Sequence, residues 1–308
     1  MAYTNQRKAY GETLVKLGEE NKNIVALEAD LGKSTMSCFF QARFPERYFE
    51  MGIAEANMTS TAAGLAQTGK IPFTHSFAVF SGGRSYDQIR QTIAIGKLNV
   101  KICGSSSGLS DFGDGATHQC VEDIAIMRAI PNMTVLCPAD ANETVKAVRA
   151  MAAMQGPCYI RLNRNDYENV TAEEDSFEIG KPTVLRDGSD VVVFATGIMT
   201  TLAVEAAKEL EGKISVRVVN VSTLKPIDDE TLAGLAKGMK GAVTAEEHSI
   251  IGGLGSAVAQ ALSKDPLPIE FVGINDTFGC SGHNYNELMA YHGLTKEHIV
   301  EAVETINR

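Results

Sequence analysis

The sequence predicts an α/β protein of two parallel-sheet domains, a larger one first and a smaller one after it. Three observations carry this. Strand-length apolar runs alternate with helix-length amphipathic runs, the mark of βα units whose parallel sheet is covered on both faces. The alternation breaks at a polar stretch beginning near Asn163 and then restarts. The 308 residues leave room for about two domains at ~150 residues each.

In chain order, residues 6–20 read as an amphipathic helix and 24–28 as a short apolar strand leading into Ala29-Asp30-Leu31-Gly32. Residues 55–68 read as a small-residue helix, with Met58, Ala62 and Leu65 at i, i+4 and i+7. A strand at 71–73, a helix at 84–96, a strand at 100–104 and a helix at 122–129 follow. A strand at 134–137, a helix at 142–154 capped by Asp140 or Asn142, and a strand at 158–162 complete a domain over 1–165. Residues 166–186 have the composition of a linker. The second domain, 187–308, takes strands at 190–195, 216–221, 241–246 and 269–273. Its helices fall at 199–210, 228–235, 255–262 and 295–305.

The net charge of −10 argues against a general nucleic-acid footprint, which would be basic. None of the six cysteines forms a C-x-x-C pair, so no zinc knuckle or thioredoxin-like motif is expected. The N-terminus lacks a basic region followed by an apolar run, and no stretch of 18 apolar residues occurs. A cytoplasmic protein without signal peptide or membrane span is therefore expected.

Five segments carry candidate chemistry. Glu55 lies in a small-residue, apolar stretch at a predicted helix start: either an exposed first-turn acid favoured by the helix dipole, or a buried acid sharing a proton with a ligand nitrogen. Asp114 and His118 lie in a glycine-rich loop after a strand, an edge where open α/β sheets bind ligands; the plain alternative is an Asp-Gly turn and a surface histidine. Phe77 and Phe80, at i and i+3, are core residues or a platform for a heteroaromatic ring. Arg7, Ser34 and Arg164 are surface residues or anion ligands. The run Gly252-Gly253-Leu254-Gly255 lacks the third glycine of a dinucleotide fingerprint and reads as a tight strand-to-helix turn. Gly113-Asp114-Gly115 followed by Asn142 mimics a metal motif, but Thr117-His118-Gln119 follows at once, so no metal site is expected here.

Together, Glu28-Ala-Asp30-Leu-Gly-Lys-Ser34, Gly52-Ile-Ala-Glu55-Ala-Asn-Met58, Asp114-Gly-Ala-Thr-His118-Gln119, Pro138-Ala-Asp140, Gly156 through Arg164, and Glu246-Glu-His248 through Gly255 resemble the transketolase family across essentially the whole chain. The resemblance implies a thiamine-diphosphate pyrimidine-binding domain and a smaller transketolase C-terminal domain. No segment matches the family's first domain, which binds the cofactor diphosphate and its metal. The implied protein is the C-terminal subunit of a split transketolase, active only with a separate N-terminal chain, as an α2β2 assembly. It would transfer a two-carbon ketol unit from an anionic ketose to an aldose acceptor, with Mg2+ or Ca2+ held by the partner.

By the same resemblance Glu55 meets N1′ of the aminopyrimidine, and Phe77 and Phe80 flank that ring. Asp30 lies near the cofactor, His118 and Asp114 contact substrate hydroxyls, and Arg7, Ser34 and Arg164 hold the terminal phosphate. Three departures stand out. Ser106-Ser107-Gly108 replaces a usual His-Asp-Ser, Gly83 replaces a third aromatic, and His75 stands where a small residue is usual. The anion pocket could therefore serve a phosphate or a sulfonate. Arg161 and Tyr86-Asp87-Gln88 look somewhat like deoxyxylulose-phosphate synthase. The β subunit of 2-oxoacid dehydrogenases shares the layout, and a non-catalytic scaffold is the remaining alternative.

Overall fold

The computed structural model describes residues 5–308. The first half runs α1 (Gln6–Glu20), β1 (Ile24–Glu28), α2 (Gly32–Thr35), α3 (Cys38–Arg43), β2 (Tyr48–Glu50), α4 (Glu55–Gln67) and β3 (Ile71–Phe77). Two π-helical turns, Val79–Arg84 and Ile89–Ala94, flank α5 (Tyr86–Gln88). Next come β4 (Lys101–Ser105), α6 (Asp123–Ala129), β5 (Thr134–Leu136), α7 (Ala141–Ala153) and β6 (Cys158–Arg161). The second half runs β7 (Thr183–Arg186), β8 (Val191–Ala195), α8 (Met199–Glu209), β9 (Val216–Asn220), β10 (Thr223–Lys225), α9 (Asp229–Ala236) and β11 (Gly241–Ser249). It closes with α10 (Leu254–Ala261), β12 (Ile269–Ile274), α11 (Tyr285–Tyr291) and α12 (Lys296–Asn307).

Two sheets result, ordered β10-β5-β6-β4-β3-β1-β2 and β12-β11-β8-β9-β7. Strands β1 to β6 are mutually parallel where they pair. Their apolar runs are buried on both faces, as in Ile24–Glu28 and Lys101–Ser105. The expected α/β class with two mostly parallel sheets is what the chain adopts, with two additions. β7 pairs antiparallel with β9. β10, from the second half, pairs antiparallel with β5 and so closes the first sheet. The expected continuous helix over 84–96 is instead a short helix between π-turns. There Ser81 Oγ donates to the Cys103 carbonyl and Ser85 Oγ to the Ser81 carbonyl, side-chain bonds that compete with a regular ladder.

In a parallel sheet all strands end on one edge. Phe77, Ser105, Arg161 and the loop after Glu28 therefore share a rim. α1 precedes β1 and runs antiparallel to it, so the start of α1 sits on the same rim. One side chain pins it there with two bonds. Gln6 donates to the Pro138 carbonyl at 2.8 Å and accepts from the Asn163 amide at 2.7 Å.

His75, the departure in β3, is fully buried. Its Nδ1 lies 2.8 Å from the Leu27 carbonyl and its Nε2 2.9 Å from the Tyr10 hydroxyl. The carbonyl can only accept, so Nδ1 carries the proton and Nε2 accepts from Tyr10. The ring thus bridges α1, β1 and β3. Burial lowers its pKa from 6.5 to about 4. The folded chain therefore resists a proton that the unfolded chain accepts. The stability this neutral ring confers is present above pH 6.5 and is lost as pH falls from there toward 4. Between pH 7 and pH 4.5 the wild type should lose roughly 2 kcal/mol more than His75→Gln. Urea midpoints of both proteins at the two pH values read this directly; parallel losses would show that His75 takes up its proton in the folded chain as readily as in the unfolded one.

Candidate active site

Glu55 is the first residue of α4 and only 4% exposed. It is therefore a buried acid rather than an exposed first-turn one. Its Oε1 accepts from Arg84 Nη1 at 3.1 Å. The Arg84 guanidinium also lies 4.0 Å above the centre of the Phe80 ring, a cation–π geometry. Phe80 stacks on Phe77 at 6.0 Å with 14° between the planes. His118 meets both rings edge-on, at 5.3 Å from Phe80 and 6.3 Å from Phe77. Glu55, Arg84, Phe80, Phe77 and His118 thus form one contiguous cluster. Phe77 is buried and Phe80 half-buried, so the pair is at once core and platform. A Cβ added at Gly83 would meet nothing within 4 Å, so the space beside the platform is open.

Asp114 is exposed, at the start of a 3-10 turn over Gly115–Thr117. His118 Nδ1 lies 2.9 Å from the Thr117 hydroxyl. Asp30 is exposed in a left-handed conformation, φ 61°, and its amide donates to Glu50 Oε1 at 2.9 Å. Glu28, just before it, is buried and accepts from the Ala29 amide and the Thr35 and Ser37 hydroxyls. Burial lifts its carboxyl to about 7 against those bonds.

Arg7, Ser34 and Arg164 come together. Arg7 donates to the Ser34 carbonyl at 2.7 Å and to the Arg164 carbonyl at 2.9 Å. Burial, with the nearby charge of Arg164, brings the Arg7 pKa down to about 10. The Ser34 amide bonds the Leu31 carbonyl at 2.7 Å. It is not a free donor at a helix start, so the hydroxyl is what Ser34 has left to offer. Arg164 pairs with Asp111, Nη1 to Oδ1 2.7 Å, with the two side chains 31% and 4% exposed. Burial raises the Asp111 pKa and Arg164 opposes the shift. Among the described residues, Arg7 Nε, Asp111 Oδ2 and Ser106 Oγ are buried without a hydrogen-bond partner.

The sequence reading missed Arg84 and Asp111. Each acts through a pair contact with a residue distant in the chain, which no periodic pattern records. It also missed how the rim is braced. Glu247, from β11, accepts from the Leu109 amide at 2.8 Å and from Asn163 Nδ2 at 3.2 Å. Gly108, at φ +60°, has no room for a Cβ, which would sit 2.4 Å from Glu247 Cδ. Arg161 is buried, donates to Asp123 at 2.9 and 3.0 Å and to the Glu247 carbonyl at 2.8 Å. It is thus an internal strut. Tyr159 OH donates to Asp123 Oδ2 at 2.8 Å.

The strand order and the rim define the class: a doubly wound α/β chain whose candidate residues gather at the carboxyl ends of its first sheet. The family description "Transketolase, pyrimidine binding domain" matches residues 3–169, and "Transketolase, C-terminal domain" matches 180–299. The chain belongs to the transketolase family. It is 47% identical to a Methanocaldococcus jannaschii protein named as a transketolase C-terminal section, over 98% of this chain and 96% of that one. It is 43% identical to a 6-deoxy-6-sulfo-D-fructose transketolase subunit of Clostridium sp., over 97% and 94% of the two chains. A solved structure described as a split gene transketolase, inactive beta4 tetramer, superposes with a TM-score of 0.90 at 47% identity, covering 99% of each chain.

Removing the acid of the internal pair strands a buried guanidinium. Asp123→Ala should cost about 3–5 kcal/mol of stability. Denaturant unfolding of the isolated chain measures this; a loss under about 1 kcal/mol would mean that Arg161 finds another partner.

Proposed function

We infer that this chain is the C-terminal subunit of a two-chain, thiamine-diphosphate-dependent transketolase. It joins a separate N-terminal chain and moves a two-carbon ketol unit from an anionic ketose to an aldose acceptor in carbohydrate metabolism. The observation that carries the reading is the contiguity of buried Glu55 with the Phe77–Phe80 stack and His118. Arg84 indicates what suits the seat. Its guanidinium is flat, lies on Phe80 and donates to Glu55. An aminopyrimidine ring would make the same two contacts, so the residues present fit it.

When bound, thiamine diphosphate supplies an electron sink for the two-carbon fragment. The protein's share is placement and proton control. Phe80, backed by Phe77, carries the flat of the ring. Glu55 holds a proton at the ring nitrogen that faces it, and its burial keeps water from competing. Asp30, in the loop after β1, is assigned to the cofactor side of the site. His118 and Asp114 take sugar hydroxyls, and Arg7, Ser34 and Arg164 take the charged end of the ketose. The diphosphate and its Mg2+ or Ca2+ belong to the partner chain. Ile53 is 73% exposed two positions before a buried catalytic acid, which suits a face that another chain covers in an α2β2 assembly. Among the described residues no helix is long and apolar enough to cross a membrane, in keeping with work in the cytoplasm.

Ketol transfer should need both chains, with thiamine diphosphate and Mg2+ present. Full turnover by this chain alone would refute the two-subunit reading, and turnover of pyruvate in place of a ketose would redirect it to the synthase chemistry. Glu55→Gln keeps a hydrogen bond but cannot hold and release the proton. Its ketol-transfer rate in the two-chain enzyme should fall roughly 10²–10⁴-fold while its thermal midpoint holds. A rate near wild type would take Glu55 out of the reaction. Arg164→Ala should raise KM for an anionic ketose by roughly one to two orders of magnitude, through loss of a charge-assisted hydrogen bond. An uncharged ketose should be affected less; equal losses would make Arg164 structural.

A further inference from the structure

The two arginines of the candidate anion pocket are already engaged. Arg7 holds two backbone carbonyls, and Arg164 holds Asp111. Asp111 is built into the pocket rather than resting on its rim: it is 3% exposed, and its Oδ2 is buried with no partner among the described residues. Ser34 adds a neutral hydroxyl. Ser106, at the start of the loop that carries Asp111, is fully buried at φ 50° with an unpartnered Oγ. The pocket therefore carries two positive charges and one negative one. The other charges that reach it add no positive excess. Asp166 acts on Arg7 and accepts from Asn5 at 2.7 Å. Asp114 and His118 act on Asp111 from the same loop.

We propose that Asp111 makes this pocket selective for a singly charged terminal group, a sulfonate or carboxylate, over the phosphate dianion. The proposal rests on reading Arg7, Ser34 and Arg164 as the anion pocket. An anion that takes donors from Arg164 must lie next to the Asp111 carboxylate. A monoanion can accept from Arg164 and Ser34 and balances the pocket's one net positive charge. A phosphate dianion makes the same bonds, but its second charge is left uncompensated beside Asp111, and the hydration it gives up grows with the square of its charge in a site too buried for water to make this good. Asp111 also serves the free chain, because it keeps the Arg164 guanidinium paired until a ligand arrives.

All these groups lie on this chain, so binding is measured on the chain itself by NMR titration with methanesulfonate, acetate and methyl phosphate. At about pH 8 methyl phosphate is a dianion, well above its second ionisation. Methanesulfonate or acetate should bind wild type roughly tenfold or more tightly than methyl phosphate, since close like charges readily cost that much. The sulfonate-to-acetate ratio tells which monoanion the pocket prefers. Asp111→Asn keeps the shape and removes the charge, and should bring methyl phosphate level with or ahead of methanesulfonate. Arg164→Ala should weaken every anion. If wild type binds methyl phosphate more tightly than either monoanion, and Arg164→Ala abolishes this, the pocket is right and the selectivity is wrong. If no anion binds, or Arg164→Ala changes nothing, the pocket itself is misplaced and the selectivity falls with it. The wild-type order decides the matter even if Asp111→Asn folds poorly.

Discussion

Glu247 leaves the second sheet and enters the first half of the chain. There its two oxygens take the Leu109 amide and the Asn163 side chain. It is fully buried, and burial lifts its carboxyl to about 7 against the pull of Arg161 and its hydrogen bonds. A buried acceptor of this kind is costly without partners, so it fixes where those partners can be. Leu109 begins the loop that carries Asp111, Asp114 and His118, and Asn163 immediately precedes Arg164. Asn163 also donates to Tyr285 of α11 at 2.7 Å. One carboxylate from the second half thereby sets both the loop and the strand end from which the candidate substrate residues project. On its other side, Glu143 of α7 accepts from Asn220 and Ser222 at 2.9 and 2.6 Å. The halves are joined by polar groups that have no water to return to.

The rim then divides by chemistry. Around Glu55 the surroundings are flat and aromatic, with one guanidinium; around Arg164 they are ionic, with the charges largely compensated in place. The 105–118 segment lies between, touching the aromatic pair through His118 and the cations through Asp111. A displacement of this segment would move both ends of the site together, and Glu247 is what resists it.

Much of this was legible in the sequence. The long strands announce themselves as apolar runs, and α7 by an acid at its start, since Asp140 does accept from the Glu143 amide at 2.9 Å. Short elements were not legible. α2, β2 and β10 are three or four residues long, too short for any period to show, and they exist because neighbours pair with them. Arg7 shows a different limit. Its position before the first strand gives no topological reason to set it on the rim, and only the family resemblance put it there; a helix folded back antiparallel onto β1 returns its first turn to the strand ends. The motifs around Glu55 and His118 marked two segments that the fold brings together. What the residues there face, Arg84 in one case and the aromatic pair in the other, is a property of tertiary contact and leaves no local trace.

β10 has a consequence for how the chain can be divided. The polar stretch after Asn163 looks like a seam, and a fragment ending there would hold every strand of the first sheet but one. That one comes from beyond the seam: Thr223 pairs with Leu136 and Lys225 with Val135. The Lys225 ammonium also donates to the carbonyls of Arg128 and Ile130. Cut at the seam, the larger half would present β5 as a bare, apolar edge, a ready template for pairing with another chain. The second half is thus a chaperone in cis for the first, and a gene split at this point in the chain would make an aggregating fragment rather than a working subunit.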